Sequence, residues 1–179
     1  MKILRFLILL SVLSAILIQC KPDPKARITA LEEKIASENF IMDDKGMQTA
    51  SELVAAYTEY GEKFKDSPEA PDYLYKAADI LLNINKSREA LDLYNRIIYQ
   101  YPNYKKVPEC LFLVAYIYEN YEQNFGKAKE VYEMFIAKYP NHDFADDAAI
   151  SIQNMGKSPE ELIRMFEEKN RVQQDSLAS

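Results

Sequence analysis

The chain has 179 residues and a formal net charge of −6 at pH 7. This acidity argues against nucleic-acid binding, which rewards clustered lysine and arginine, and against a basic patch for anionic membrane surfaces. It contains two cysteines and one histidine, too few for a disulfide framework or a His/Cys metal site. We interpret Cys110, at an interior position of a predicted helix, as a small buried apolar residue.

The first 20 residues have the pattern of a secretory signal. Lys2 and Arg5 form the positive start, and residues 6–18 are an apolar run interrupted only by two serines. A helix over this run is roughly 20 Å long, which is short of a bilayer core of about 30 Å. We therefore predict that residues 1–19 are a cleaved signal peptide rather than a membrane-spanning helix.

The end of this signal, Leu17-Ile18-Gln19-Cys20, resembles a bacterial lipobox. The resemblance implies that Cys20 is the lipidated first residue of the mature chain, although Gln19 stands where Gly, Ala or Ser is usual. Residues 20–25 then form a short tether. We expect a lipid-anchored protein in the cell envelope of a Gram-negative-type bacterium, at the outer membrane and facing the periplasm. The alternative is an ordinary signal in which Cys20 has no role.

The rest of the chain shows helical periodicity and no strand pattern. A loop over 39–46 and a closing turn at Gly156 interrupt the helices, and Ser158-Pro159 opens the last one with Glu161 completing a capping box. That last helix should pack back through Leu162, Ile163, Met165 and Phe166. The predicted helices cover about 25–38, 47–64, 71–83, 87–100, 108–121, 125–138, 143–154 and 158–169.

A motif recurs between these helices. Tyr101-Pro102-Asn103 returns as Tyr139-Pro140-Asn141, and Phe64-Lys65-Asp66 stands in the equivalent place before them, at steps of 37 and 38 residues. A period of this size with helical patterning inside it indicates stacked helix pairs. Such arrays usually hold partners rather than transform substrates.

The residues inside each period are also related. Small residues recur on both helices of a pair, and a tyrosine recurs on the second helix: Ala78, Ala90 and Tyr94 in one period, and Ala115, Ala128 and Tyr132 in the next. This pattern, from about Gly46 to Lys169, resembles the tetratricopeptide repeat, with a longer period and no tryptophan. It is similar to bacterial envelope members such as the lipoprotein of the outer-membrane β-barrel assembly machine and the Tol-Pal-associated periplasmic protein.

The resemblance implies an all-α fold, a short right-handed solenoid of about eight helices in four pairs, with the outer two pairs as degenerate caps. The predicted organisation is a signal peptide (1–19), a lipidated cysteine and tether (20–25), an N-terminal degenerate pair (26–64), two repeats (65–140), a C-terminal degenerate repeat (141–169) and a disordered tail (170–179).

No catalytic or metal-binding constellation is visible. His142 lies in a turn between repeats, and we interpret it as a turn residue that caps the next helix. Asp143, Asp146 and Asp147 lie in the first turn of a helix, where carboxylates favour the helix dipole. We therefore predict that the protein is not an enzyme and needs no metal or other cofactor.

In the family that the repeats resemble, the first helix of each pair lines a groove that binds partners. The positions that this implies combine aromatic rings with carboxylates and amides, a composition that suits a basic or amphipathic protein segment. They are Asp72, Tyr75, Asp79 and Asn83; Glu109, Phe112, Tyr116, Glu119 and Asn120; and Asp147, Ile150 and Asn154. Carboxylates at these places would repel the C-terminal carboxylate that some relatives clamp.

Two functions remain open at this point. The first is a non-catalytic envelope scaffold that binds another envelope protein or peptide. Its expected role is in outer-membrane or envelope assembly. The second is an accessory subunit that holds glycan or peptidoglycan for a periplasmic or surface enzyme. Clustered tyrosine and asparagine favour glycan, whereas Phe112 and Ile150 favour protein.

Lipidation of Cys20 has a direct test. Metabolic labelling with a clickable palmitate analogue should mark the wild-type protein and should not mark Cys20→Ala, because the thiol is the acyl acceptor. Equal labelling of the two proteins would contradict the prediction and leave an ordinary secretory signal.

Overall fold

The computed structural model describes residues 23–37 and 43–178. The predicted signal peptide, Cys20 and residues 21–22 of the tether lie outside these residues. The described residues form eight helices and no strand. The helices are α1 (Pro24–Ser37), α2 (Asp44–Lys63), α3 (Ala70–Asn83), α4 (Ser87–Gln100), α5 (Val107–Asn120), α6 (Phe125–Lys138), α7 (Ala145–Asn154) and α8 (Pro159–Ala178).

Each helix from α1 to α6 packs against the next one in the chain, so the packed series runs from α1 to α7. This sequential packing produces a solenoid in which α1, α3, α5 and α7 are the first helices of successive pairs. The predicted all-α, tetratricopeptide-like architecture is confirmed. None of the described helices is both long enough and apolar enough to cross a membrane.

The core follows the predicted repeat register. The small residues Ala78, Ala90, Ala115 and Ala128 are fully buried, so neighbouring helices approach closely at these points. Large side chains fill the space between pairs, and they recur at the same second-helix positions. On α4 these are Tyr94 and Ile97, and on α6 they are Tyr132 and Phe135, all with no exposed surface.

The second helix begins earlier than predicted. We expected a loop to 46, whereas α2 starts at Asp44 and includes Gly46. The cause is a cap: the Asp43 carboxylate accepts a hydrogen bond from the Gly46 backbone N–H at 2.8 Å. This bond satisfies a donor that the first turn leaves free, so the helix extends through residues that otherwise favour a turn.

The start of the last helix matches its prediction. Gly156 has φ +75°, the left-handed conformation that glycine adopts most readily. Ser158 and Glu161 form the capping box, because the Ser158 N–H donates to the Glu161 carboxylate at 2.8 Å and the Glu161 N–H donates to Ser158 Oγ at 3.2 Å.

The rest of α8 differs from the prediction in two ways. The helix continues to Ala178, where we expected a disordered tail over 170–179. Glutamate, lysine, arginine and glutamine are good helix formers, so no packing partner is needed to favour this conformation locally. The helix also does not pack back closely, since Ile163 and Phe166 are 60% and 66% exposed.

Gly61 marks the closest approach of α2 and α3. A Cβ atom at Gly61 would lie 2.6 Å from Cδ2 of Leu74, which has no exposed surface and no room to move. Gly61→Ala should therefore lower the free energy of unfolding by about 1–3 kcal/mol through overpacking.

Gly126 supplies the matched control for this substitution. Its Cβ would meet nothing nearer than 3.8 Å, so Gly126→Ala should be neutral or stabilising by up to about 1 kcal/mol. Urea denaturation of the two variants measures the difference. Equal stability of the two variants would contradict the close contact between Gly61 on α2 and Leu74 on α3.

Candidate functional site

The predicted groove residues lie together on the first helices α3 and α5, on a surface that we call the first-helix face. Tyr116 and Asn120 are exposed. The remaining predicted positions on these two helices are half-buried except for Asn83, which is exposed: Asp72, Tyr75, Asp79, Glu109, Phe112 and Glu119. On α7, Asp147 and Ile150 are exposed and Asn154 is half-buried.

A repeated hydrogen bond links the two helices of each pair. Tyr94 on α4 donates to Asp79 at 2.6 Å, and Tyr132 on α6 donates to Glu119 at 2.9 Å. In the N-terminal pair, Tyr57 donates to Glu32 at 2.6 Å. We call these three bonds the tyrosine–carboxylate ladder. They hold Asp79 and Glu119 in place on the first-helix face.

A further bond of this kind links the first helix of a repeat to the turn that closes the same repeat. Tyr104, in the turn after α4, donates to Asp72 on α3 at 2.7 Å. Burial and this hydrogen bond to the carboxylate both raise the pKa of Tyr104, so the phenol remains the proton donor at neutral pH. One oxygen of Asp72 is therefore engaged within the protein.

Lys106 covers part of the predicted groove, and the sequence analysis did not include it. Its ammonium lies 4.0 Å from the ring centroid of Tyr75, at a cation–π distance. The same charge acts on Asp79, whose pKa it lowers, although burial is the largest effect and raises that pKa above its ordinary value. Lys106 precedes α5 and reaches α3 only because the repeats stack, so no local pattern marks it.

Phe112 has a different environment from the one expected of an exposed anchor. Its ring centroid lies 4.8 Å from that of Phe144, 5.5 Å from Tyr132 and 5.8 Å from Phe135. These contacts join α5, α6 and the start of α7. The half-buried Phe112 ring therefore packs against the aromatic core, so its substitution would disturb the helix packing as well as the first-helix face.

His142 has the structural role that we predicted for it. The Phe144 backbone N–H donates to His142 Nδ1 at 3.2 Å, which caps the turn before α7. The other ring nitrogen, Nε2, lies 3.9 Å from Glu109 Oε2. That oxygen is buried without a hydrogen-bond partner among the described residues.

Tyr116 and Asn120 are the predicted groove residues that most resemble a contact surface. Tyr116 is 38% exposed and lies beside Tyr121, which is 40% exposed, with ring centroids 6.2 Å apart. The Asn120 amide donates to the Tyr116 carbonyl at 3.0 Å, which orients the side chain at the end of α5. This aromatic pair is available to a partner without disturbing the core.

A cleft at the other end of the first-helix face was missed by the sequence analysis. It has a volume of about 340 Å³ and lies between α1 and α3, with α2 beneath it. Apolar side chains from all three helices line it, including Ile35, Leu53 and Ile80. Only the apolar character of Ile80 and Ile84, outside the repeat core pattern, could have indicated it.

The described residues contain no cluster of three or more His, Cys, Asp or Glu side chains that could hold a metal ion. Cys110 is fully buried, and burial raises the pKa of its thiol well above the ordinary value. A thiol in this state is a poor nucleophile because the thiolate is the reactive form. The chemistry that this face offers is hydrogen bonding, charge and apolar contact.

Comparison with known families agrees with this geometry. The tetratricopeptide repeat model matches residues 72–104 and 109–142. These segments correspond to α3 with α4 and to α5 with α6, each with its closing turn. The match and the all-helical structure support a tetratricopeptide repeat protein, a class of generally non-catalytic scaffolds that commonly bind protein partners. No curated protein matches the chain.

The buried bond between Tyr94 and Asp79 yields a prediction with opposite signs for its two partners. Tyr94→Phe should lower the free energy of unfolding by about 1.5–3 kcal/mol, because it removes a hydrogen bond to a charged group. Asp79→Asn should be at least as stable as the wild type at pH 7, because the amide oxygen still accepts from Tyr94 and the cost of burying a charge is removed.

The pH dependence of stability in Asp79→Asn tests whether the cost of burying the Asp79 charge is the cause. A raised carboxyl pKa in the folded state means that the native protein binds the proton more tightly than the unfolded chain. The free energy of unfolding of the wild type should therefore rise relative to that of Asp79→Asn as the pH falls from 7 through the pKa of Asp79. Urea denaturation between pH 7 and 4 measures this. A strongly destabilised Asp79→Asn at pH 7 would contradict the assignment.

Proposed function

We propose that this chain is a non-catalytic, lipid-anchored scaffold of the bacterial cell envelope that binds another envelope protein along its first-helix face. The observation that carries the proposal is the pair of matched repeats, whose first helices present carboxylates and the exposed ring of Tyr116 on one surface. Repeats of this kind suggest a protein-interaction module. The role that we favour is in outer-membrane or envelope assembly.

The envelope location rests on the N-terminal sequence. Lys2 and Arg5, the apolar run of residues 6–18 and the position of Cys20 directly after it together favour export and lipidation. Acylation at more than one point provides a stable anchor, whereas a single chain binds membranes only marginally. In this proposal the anchor keeps the solenoid at the outer membrane, and the face remains available to periplasmic partners.

The charge of the face indicates the kind of partner. Asp72, Asp79, Glu109 and Glu119 lie on it, and Lys106 is the cation held among them. The ladder and the Tyr104 bond hold three of the carboxylates by one neutral donor each, which does not cancel their charge. Such a surface favours the approach of a basic or amphipathic segment and disfavours a free carboxylate.

A glycan ligand has less support. Sugar binding by this face would require flat aromatic rings open to solvent. The Tyr75 ring is covered by Lys106, and the Phe112 ring packs among three other rings. Tyr116 and Tyr121 remain, and their interplanar angle of 65° does not form a single stacking platform.

Site-specific photocrosslinking in living cells tests the proposal. A photoreactive phenylalanine analogue at position 116 should form a discrete adduct with one envelope protein, because Tyr116 is exposed on the first-helix face. Position 99 is the matched control, since Tyr99 is also an exposed tyrosine, 80% accessible, but lies on the second helix α4.

The captured partner is then titrated against variants of the face. Tyr116→Ala should weaken binding by about 1–2 kcal/mol, mainly through faster dissociation, because an aromatic contact acts on the bound state. Tyr99→Ala should leave the affinity unchanged. Adducts and affinity losses confined to position 99 would show that the second helices carry the interface.

A further inference from the structure

The cleft between α1 and α3 is a formed feature of the fold. Its floor consists of Ala50, Leu53 and Tyr57 on α2, each 3% exposed. Ile35 and Ala36 of α1 form one wall, and Ile80 and Asn83 of α3 form the other, together with Ile84 directly after the helix. Its volume of about 340 Å³ is within the range of sites that accept small apolar groups.

A salt bridge closes one end of the cleft. Lys76 Nζ on α3 lies 2.8 Å from Glu32 Oε1 on α1, and Tyr57 donates to the same carboxylate at 2.6 Å. The only charged residue that lines the described part of the cleft is therefore already paired. What remains to bind a ligand is an apolar surface, with the Asn83 amide at the rim.

The acidic part of the first-helix face lies on the neighbouring side of α3, and neither Asp79 nor Asp72 lines the cleft. Ile80 follows Asp79 directly in α3, and Asp79 is the carboxylate whose burial raises its pKa. Asp72 lies two turns further along the same helix. A side chain seated in the cleft would therefore have an apolar environment, and only neighbouring residues of the same partner segment could reach these carboxylates.

We infer that the cleft binds a bulky apolar side chain of a partner segment that carries lysine or arginine next to that anchor. The basic residue next to the anchor is inferred from charge complementarity. The adjoining face carries several acidic side chains and the single cation of Lys106. This inference rests on the proposed function and specifies it: the partner's anchor lies at the α1–α3 end of the face, and its basic residues extend toward α5.

Designed peptides provide the probe. A fluorescein-labelled 14-residue amphipathic peptide of leucine and lysine should bind the purified full chain, measured by fluorescence anisotropy. A leucine–glutamate counterpart lacks the positive charge, and an alanine–lysine counterpart lacks the bulky apolar anchor. Each should bind about tenfold more weakly, or not at all. Equal binding of the leucine–lysine and alanine–lysine peptides would overturn the inference, because the cleft would then contribute nothing.

Two tryptophan substitutions on α1 separate the cleft from general attraction to an acidic protein. Ala36 is exposed at the rim, so Ala36→Trp should fill the cleft without disturbing the core. This substitution should weaken binding of the leucine–lysine peptide by about tenfold. Ala30 is exposed on the same helix and does not line the cleft, so Ala30→Trp should bind like the wild type. Circular dichroism should show wild-type helicity for both.

A second measurement locates the peptide directly. Methyl resonances of Ile80 and Ile84 should shift on titration with the leucine–lysine peptide, and these shifts should be absent in Ala36→Trp. Peptide binding that is unaffected by Ala36→Trp, with methyl shifts elsewhere, would overturn the inference. If the crosslink at position 116 still forms in Ala36→Trp at the wild-type level, the scaffold proposal stands and only the cleft assignment fails.

Discussion

The fold depends on burying a tyrosine ring between the two helices of a pair while its hydroxyl remains hydrogen-bonded. Tyr57, Tyr94 and Tyr132 recur at steps of 37 and 38 residues, and each donates to a carboxylate on the first helix of its own pair. A buried hydroxyl without a partner would cost about 1–3 kcal/mol. The carboxylate removes that cost, and the aromatic ring contributes a large buried apolar surface.

This arrangement also determines what the surface offers. The carboxylates that accept from Tyr94 and Tyr132 are half-buried residues of the first-helix face. The ladder thus connects stability with recognition, since Asp79 and Glu119 support the helix pair and supply negative charge to a partner. The pKa of Asp79 is raised because its partly buried surroundings favour the neutral carboxyl over the charged one.

The two ends of the solenoid differ in polarity. At the N-terminal end, α1 buries Ile28 and forms ion pairs through Lys25 with Glu69 and through Arg27 with Glu59. At the C-terminal end, Ile150, Ile163 and Phe166 are more than half exposed. Solenoids need polar outer faces on their terminal repeats, and α1 meets that requirement more fully than α8.

The sequence by itself determined the helices and their pairing, because this information is local and periodic. Alanine and tyrosine at fixed steps predict close helix pairs, Ser158 and Glu161 predict a capping box, and each position shows the expected burial or hydrogen bonds. The start of α2 was misjudged because Asp43 acts as a cap, and the length of α8 because its polar residues are also helix formers.

Only the tertiary structure decided the character of the candidate site. Counting from the repeat pattern identified which side chains are on the first-helix face, but not their neighbours. Lys106 over Tyr75, Phe112 among three rings, and the cleft between α1 and α3 all involve residues from different helices. Contacts of this kind depend on the angle and distance between packed helices, which periodicity along a single chain does not encode.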